Sequence, residues 1–350
     1  MDKLIQTILT TKRSHNSKGE LEFLGKLHEY IKALGFTPKP MAEGCLVVEA
    51  GASPAMFSCH IDTVHSTIES DGSKQGLFFD ESFQHIFLAD KTSTCLGADD
   101  GAGIYIMLKM LEAKVPGTYV FHRGEERGGI GARAMVKAHK EWAERFSMCV
   151  AFDRPHNDEV IITQGGTPCA SPVFGKALAD ALNKANTNFK YEISHKGVFT
   201  DSKVYNHLIP ECVNLGVGYA QQHGNSEYLD WAHLVDLTAA CIALDWKSLP
   251  IVRVPPPESI LPFNYGSDPN KNPFKSLKDM AKSNSKKTPP PPPAMASSEE
   301  LVGMNYEELM TEIGDSSIVE AIVYYRVQLA AERGKVSELA ELLGVNLDLL

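Results

Sequence analysis

The sequence predicts an α/β fold, with a largely parallel or mixed central sheet covered by helices on both faces and a small helical module at the C-terminus. Three observations lead there. Over residues 1–252, short β-rich runs alternate with stretches of helical periodicity, the pattern of strands buried between layers of helices. The chain has 350 residues, 43% of them hydrophobic and 22% charged, enough for a sizeable core and about two domains. After Val254 the composition shifts to proline, lysine and serine before apolar periodicity returns near the end.

Taken in order, the opening segment MDKLIQTILTTKRSH lacks the apolar core and small-residue cleavage site of a secretory signal. No run of 18 apolar residues occurs, so no membrane span is expected and the chain reads as soluble and cytoplasmic. In 20–34, Leu21, Leu24, Leu27, Tyr30 and Ile31 fall at helical spacing, and Gly35 stops the helix. Strands are expected at 45–50, 55–62, 85–89, 118–122, 148–153, 159–163 and 213–218, where β-branched and aromatic residues cluster. Helices are expected at 103–113, 133–144, 172–186 and 231–246. In such a sheet, ligands gather at the carboxyl ends of the strands.

The linker, 253–297, contains the proline run 289–293 and scattered lysines, a solvated tether. In the tail, 298–350, Asp315 or Ser317 can cap a helix that places Ile318, Ile322, Tyr325 and Leu329 on one face and ends at Gly334. A second short piece spans 337–343. So small a core points to self-association or docking through the tail. The net charge of -10 argues against nucleic acid as a partner. Seven scattered cysteines (Cys45, Cys59, Cys95, Cys149, Cys169, Cys212, Cys241) form no CxxC pair and read as reduced, packed thiols.

Chemistry concentrates in a few segments. His60-Ile61-Asp62 closes an apolar strand, where residues two apart share a face. His60 can bind a metal through one ring nitrogen while Asp62 accepts from the other; alone, the pair is a weak signal and a surface histidine explains it as well. Asp99 and Asp100, in LGADDGAG, open a helix with small neighbours that let a cation approach closely, or simply cap that helix. The glycines do not make a phosphate loop: no GK[ST] follows, and two carboxylates would repel phosphate. Glu125 and Glu126, in GEERGGIGA, diverge at a strand end, so one can hold a metal while the other stays free as a base; a solvated acidic turn is the plainer reading. Asp153 closes MCVAFD and His223 follows a late strand, each ordinary by itself.

In the order HxD, Asp, Glu-Glu, Asp, His, these segments resemble the co-catalytic di-zinc exopeptidases, which include zinc aminopeptidases, dipeptidases and aminoacylases. The resemblance spans residues 1 to about 250 and is carried by HIDTV, LGADDGAG and GEERGGIGA. It implies a zinc exopeptidase-like fold in which His60, Asp99 and Asp153 hold one metal and Asp99, Glu126 and His223 hold the other. By the same resemblance, Asp99 bridges, its bond to Asp100 is cis, Glu125 is the general base of a metal-bridged hydroxide, and Asp62 is the hydrogen-bond partner of His60. Two Zn²⁺ suit three carboxylates and two imidazoles; Co²⁺ or Mn²⁺ would also fit. The implied substrates are short peptides, attacked by an aminopeptidase, or else N-acyl amino acids; an inactive peptide-binding body whose tail does the work is the alternative outside enzymes. Only 70 positions separate Asp153 from His223, too few for the lid domain that similar members insert there, so the chain looks like the lidless branch. The segment 197–202 resembles the loop that shapes the pocket in lidless members. Asp201 and His195 are candidate pocket residues there, against a turn or capping role.

Overall fold

In the computed structural model of the protein, the described residues are 2–256; the tether beyond Pro256 and the tail of 298–350, with its expected helices, lie outside them. The strands are β1 (Lys39–Pro40), β2 (Leu46–Ala50), β3 (Ala55–His60), β4 (Leu77–Asp80), β5 (His85–Leu88), β6 (Gly117–His122), β7 (Met148–Arg154), β8 (Glu159–Ile161), β9 (Thr163–Gln164), β10 (Thr167–Pro168), β11 (Glu192–Ser194), β12 (Glu211–Gly216), β13 (Tyr219–Ala220) and β14 (Tyr228–Asp230). The helices are α1 (Lys3–Leu9), α2 (Lys18–Ala33), α3 (Ala98–Glu112), α4 (Ile130–Ala138), α5 (Lys140–Ala143), α6 (Pro172–Ala185), α7 (Asp201–Val204) and α8 (Trp231–Ala243).

Eight strands form one sheet in the order β1-β2-β6-β3-β7-β12-β8-β11. Its centre is parallel: β3 lies between β6 and β7, with His60 opposite His122 and Ser58 opposite Ala151, and β12 runs parallel to β7. Antiparallel pairs join β2 to β6 and β12 to β8, so the sheet is mixed but mostly parallel, as expected from the sequence. Alternation along each strand feeds two cores. Phe57, Tyr119, Val150 and Val213 pack into the layer of α3 and α8, whereas Met56, Val120, Cys149 and Cys212 face Met135 of α4 and Tyr205 beyond α7. Every residue of β3, β6 and β12 is therefore buried, and burying each large apolar side chain contributes about 1.5–3 kcal/mol. All seven cysteines are buried and free, as the sequence indicates. Among the described residues, no helix is long and apolar enough to cross a membrane.

A second, four-stranded sheet in the order β13-β14-β5-β4 carries the segment after β12 and places residue 223 in the connection between β13 and β14. The stretch between Asp153 and His223 returns to the main sheet as β8, β11 and β12, with α6 packed on them, and builds no separate lid among the described residues. The helix expected at 133–144 is two, broken at His139 (φ -135°, ψ 40°), which leaves the helical region. Arg253, read as the first linker residues from sequence, is still tied to the body: its N–H donates to Glu211 Oε1 at 2.9 Å and its guanidinium to Pro210 O at 2.6 Å. α1 is too short for periodicity to reveal; the Asp2 carboxylate starts it by accepting from the N–H groups of Leu4 and Ile5.

α3 begins earlier than its apolar pattern indicates, through a distorted first turn at Asp99 and Asp100, whose mutual peptide bond is cis. Gly103 lets this turn approach the sheet. A Cβ on Gly103 would lie 2.5 Å from the Phe152 carbonyl oxygen of β7 and 2.5 Å from Asp100 Oδ1. Gly103→Ala therefore forces α3 off β7, an overpacking cost of about 1–3 kcal/mol. The expected result is a fall of several degrees in the thermal unfolding midpoint of the metal-free protein; an unchanged midpoint would show that the helix start yields without cost.

Candidate metal centre

Five chain segments reach one point at the carboxyl ends of the parallel strands. His60 ends β3, Glu125 and Glu126 follow β6, Asp153 lies at the end of β7, and Asp99 enters from the start of α3. His223 completes the set from the β13–β14 connection, at φ +65° and half exposed, while His60, Asp99 and Asp153 are buried.

The ligand atoms fall into two groups that share Asp99. In His60, Asp99 and Asp153, and again in Asp99, Glu126 and His223, the donor atoms all lie within 4.8 Å of one another. His60 Nε2 is 3.0 Å from Asp99 Oδ1 and 3.5 Å from Asp153 Oδ1. His223 Nε2 is 3.2 Å from Asp99 Oδ2 and 3.2 Å from Glu126 Oε1. Asp99 thus turns one oxygen to each imidazole. Glu125 belongs to neither group and lines a cavity of about 330 Å³ beside them.

The charges fit divalent cations. Burial and the neighbouring carboxylates push Glu125 up to about 10 and raise Glu126 and Asp153 as well. His223, hydrogen-bonded to Asp99 and Glu126, is drawn up to about 10, and His60 is raised by Asp153 and Asp99 against the opposing effect of burial. Carboxylates this crowded hold protons where cations would serve.

Each ligand is held by groups around it. Asp62 is buried, but its carboxylate does not make the hydrogen bond to His60 that the sequence leads one to expect. The Asp62 main-chain carbonyl takes that place, 2.9 Å from His60 Nδ1, with the carboxylate 3.8 Å away. The reason is competition: Asp62 Oδ1 accepts from the N–H groups of Gly124 (2.7 Å) and Glu125 (3.1 Å), and Oδ2 from that of Glu126 (3.2 Å). The carboxylate fixes the turn that carries both glutamates. Asp153 accepts from Tyr219 Oη at 3.1 Å and Thr200 Oγ1 at 2.6 Å. Asp100 Oδ2 accepts from the His60 N–H, tying β3 to α3.

Several of these partners escaped the sequence reading. Arg123 donates to both Glu20 oxygens, at 3.0 and 2.6 Å, and so clamps the strand end before the glutamate turn to α2. Fully buried Arg13 donates to Ile61 O (2.8 Å) and Gly97 O (3.2 Å). Glu227 accepts from three main-chain N–H groups near Asp99. Each is a lone charged residue distant in sequence from what it holds, and no local pattern marks it. In the pocket loop the cavity wall is formed by Gly197, Val198 and Phe199. Asp201 does not line it: it is buried 3.4 Å from His122 Nδ1, and His195 is hydrogen-bonded to Thr163 Oγ1.

The proton inventory sets a pH dependence. A carboxyl group raised in the folded state binds a proton that the unfolded chain releases near pH 4.5, so folding loses stability as pH rises from there toward 10. The raised His223 acts in the same direction: its contribution is complete below 6.5 and lost as pH rises through about 10. The unfolding midpoint of the metal-free protein is therefore expected to fall between pH 5 and 9. Added Zn²⁺ should raise it most at the alkaline end, where fewer protons compete for the ligands. A midpoint that climbs over that range without metal would contradict the charge arrangement.

The Peptidase family M20/M25/M40 model matches residues 56–244, just over half of the chain. No curated protein matches the chain. Among solved structures, the aminopeptidase PepT of Bacillus cereus superposes with a TM-score of 0.52 at 14% identity, covering 69% of this chain and 95% of that one. A tripeptidase of Staphylococcus aureus gives 0.53 at 16%, with 68% and 95% covered. An aminopeptidase of the archaeon Desulfurococcus kamchatkensis gives 0.50 at 14%, with 69% and 93% covered. At such identities these likenesses establish the fold, that of the zinc exopeptidases, and the match over the sheet and the ligand segments establishes the rest: the chain is a metallopeptidase of the family M20/M25/M40.

Proposed function

We propose that the protein is a di-zinc aminopeptidase acting on short peptides, with His60, Asp99 and Asp153 holding one ion, Asp99, Glu126 and His223 the other, and Glu125 as general base. The observation that carries this reading is Asp99, whose two oxygens lie 3.0 and 3.2 Å from imidazoles of separate three-residue groups. Oxygen and imidazole donors without thiolate suit Zn²⁺. When bound, two such ions supply positive charge that makes water acidic near neutral pH and stabilises a developing oxyanion.

Glu125 does the proton work. Its main chain is pinned to Asp62, and its carboxylate faces the cavity without joining either ligand group. Once positive charge balances its neighbours, Glu125 returns to the carboxylate form, takes the proton of the attacking water and delivers it to the leaving amine. Asp153 is kept in place by Tyr219 and Thr200 while this happens.

One feature of the cavity supports an aminopeptidase over a deacylase. An N-acyl amino acid brings a free carboxylate, which calls for an unengaged cation. Among the described lining residues the single guanidinium or ammonium is that of Arg154, and Glu159 already holds it at 2.6–2.7 Å. Turnover of an aminoacyl amide with none of an N-acetyl amino acid is the expected result. Cleavage of the acetylated compound alone would overturn the aminopeptidase reading and favour the deacylase. In a second experiment, Glu125→Gln should lower kcat by about 10²–10⁴-fold while zinc content, by elemental analysis, stays unchanged. Undiminished turnover would remove Glu125 from the role of base.

A further inference from the structure

Glu227 lies four residues after His223, at the point where the β13–β14 connection enters β14, and it is 1% exposed. Its carboxylate accepts from the N–H groups of Leu96 (2.8 Å) and Gly97 (2.9 Å) through Oε2 and of Asp99 (2.9 Å) through Oε1. The carbonyls of the same segment are taken from elsewhere: Gln75 Nε2 donates to Leu96 O at 2.8 Å and Arg13 Nη2 to Gly97 O at 3.2 Å. The chain leading into Asp99 is thus fixed on its donor side by a side chain that belongs to the loop of His223.

From this geometry we infer that Glu227 is a positioning residue that sets the distance between Asp99 and His223, and so selects for occupancy of the group Asp99, Glu126 and His223. The inference rests on the two-ion reading above. The two groups depend on Glu227 unequally. In the first, His60 is fixed by Asp100 and by the Asp62 carbonyl, and Asp153 by Tyr219, Thr200 and Asn214, so Asp99 alone answers to Glu227. In the second, both Asp99 and His223 do. The half-exposed His223 has a loop of its own with little else to hold it: Asn225 Nδ2 reaches Lys91 O at 3.4 Å, and Glu227 N donates to Gly224 O within the loop. A carboxylate is needed because three N–H donors converge on two oxygens; an amide of the same shape keeps one acceptor oxygen and turns an NH₂ against a donor.

The test is Glu227→Gln in the full chain, titrated with Zn²⁺ and with Co²⁺ against a chromophoric chelator. The wild type is expected to take up two ions. In the variant one ion, the same one that His223→Ala weakens, should lose about tenfold or more in affinity and the other much less, with the metal-free unfolding midpoint within a few degrees of wild type. A residue that merely supports the fold would weaken both ions together and lower that midpoint. Equal weakening at both positions, or none, overturns the inference, whereas a wild type that binds fewer than two ions overturns the two-ion reading beneath it. Should the Gln variant fail to fold, Glu227→Asp, which keeps the charge but shortens the reach, carries the same expectation in the same titration.

Discussion

Asp99 presents an oxygen to each of two imidazoles, and much of the molecule is arranged so that it can. Its carboxylate is buried among Asp153, Glu126, Asp100 and Glu227, in surroundings where unbalanced negative charge is expensive. The two histidines hold Asp99 well below the usual carboxylate range, and its neighbours absorb the cost by being raised. Such a cluster stores a demand for positive charge. Parallel strands make the cluster geometrically available: β3, β6 and β7 end side by side, and their C-terminal residues necessarily converge.

Convergence alone would leave five loops free to drift apart under their own repulsion. What prevents this is a layer of buried charged side chains that bind main chain and not one another's charge. Asp62 holds the turn of Glu125 and Glu126, Glu227 the approach to Asp99, and Arg13 both the end of β3 and the same approach. Burial lowers Arg13 to about 10 and raises Glu227 to about 7, which measures how far each has been taken from water for that work. The Arg123–Glu20 pair adds the bidentate clamp to α2, and removing one partner of such a pair leaves the other charge stranded, at a cost of about 3–5 kcal/mol.

What the sequence reveals and what it hides follow from range. His60, Asp99, Glu125, Glu126 and Asp153 are legible because each closes a strand or opens a helix within a short motif, where period and glycine placement give local signals. The same is true of the main strands, buried on both faces and therefore written as apolar runs. His223 is legible only through the order of the whole set, since its loop has no pattern of its own. Glu227 and Arg13 act across 131 and 84 positions on main-chain atoms, which any sequence could supply, and Glu20 meets the Arg123 guanidinium 103 positions away, so nothing in composition or spacing exposes them. Asp62 shows the intermediate case: HxD correctly brings the two residues together, but which of the aspartate's oxygens meets the imidazole depends on the turn after β6, and that turn claims the carboxylate first.

The absence of a lid between Asp153 and His223 shifts the burden of shaping the cavity onto the fold itself. Those 70 positions are used to extend the sheet, and the loop ahead of α7 is left to form the wall with Gly197, Val198 and Phe199. Val198 is 75% exposed and contributes nothing to either core, while Phe199 packs its ring under Arg133 at 5.5 Å. One residue further on, Thr200 donates to Asp153, and the next, Asp201, is buried. Within four consecutive residues the chain passes from solvent-facing wall to ligand support, so the wall cannot move without disturbing Asp153. Among the described residues, the outer wall of the cavity and the support of Asp153 are therefore one continuous segment, and the chemistry and the entrance are held by the same short stretch of chain.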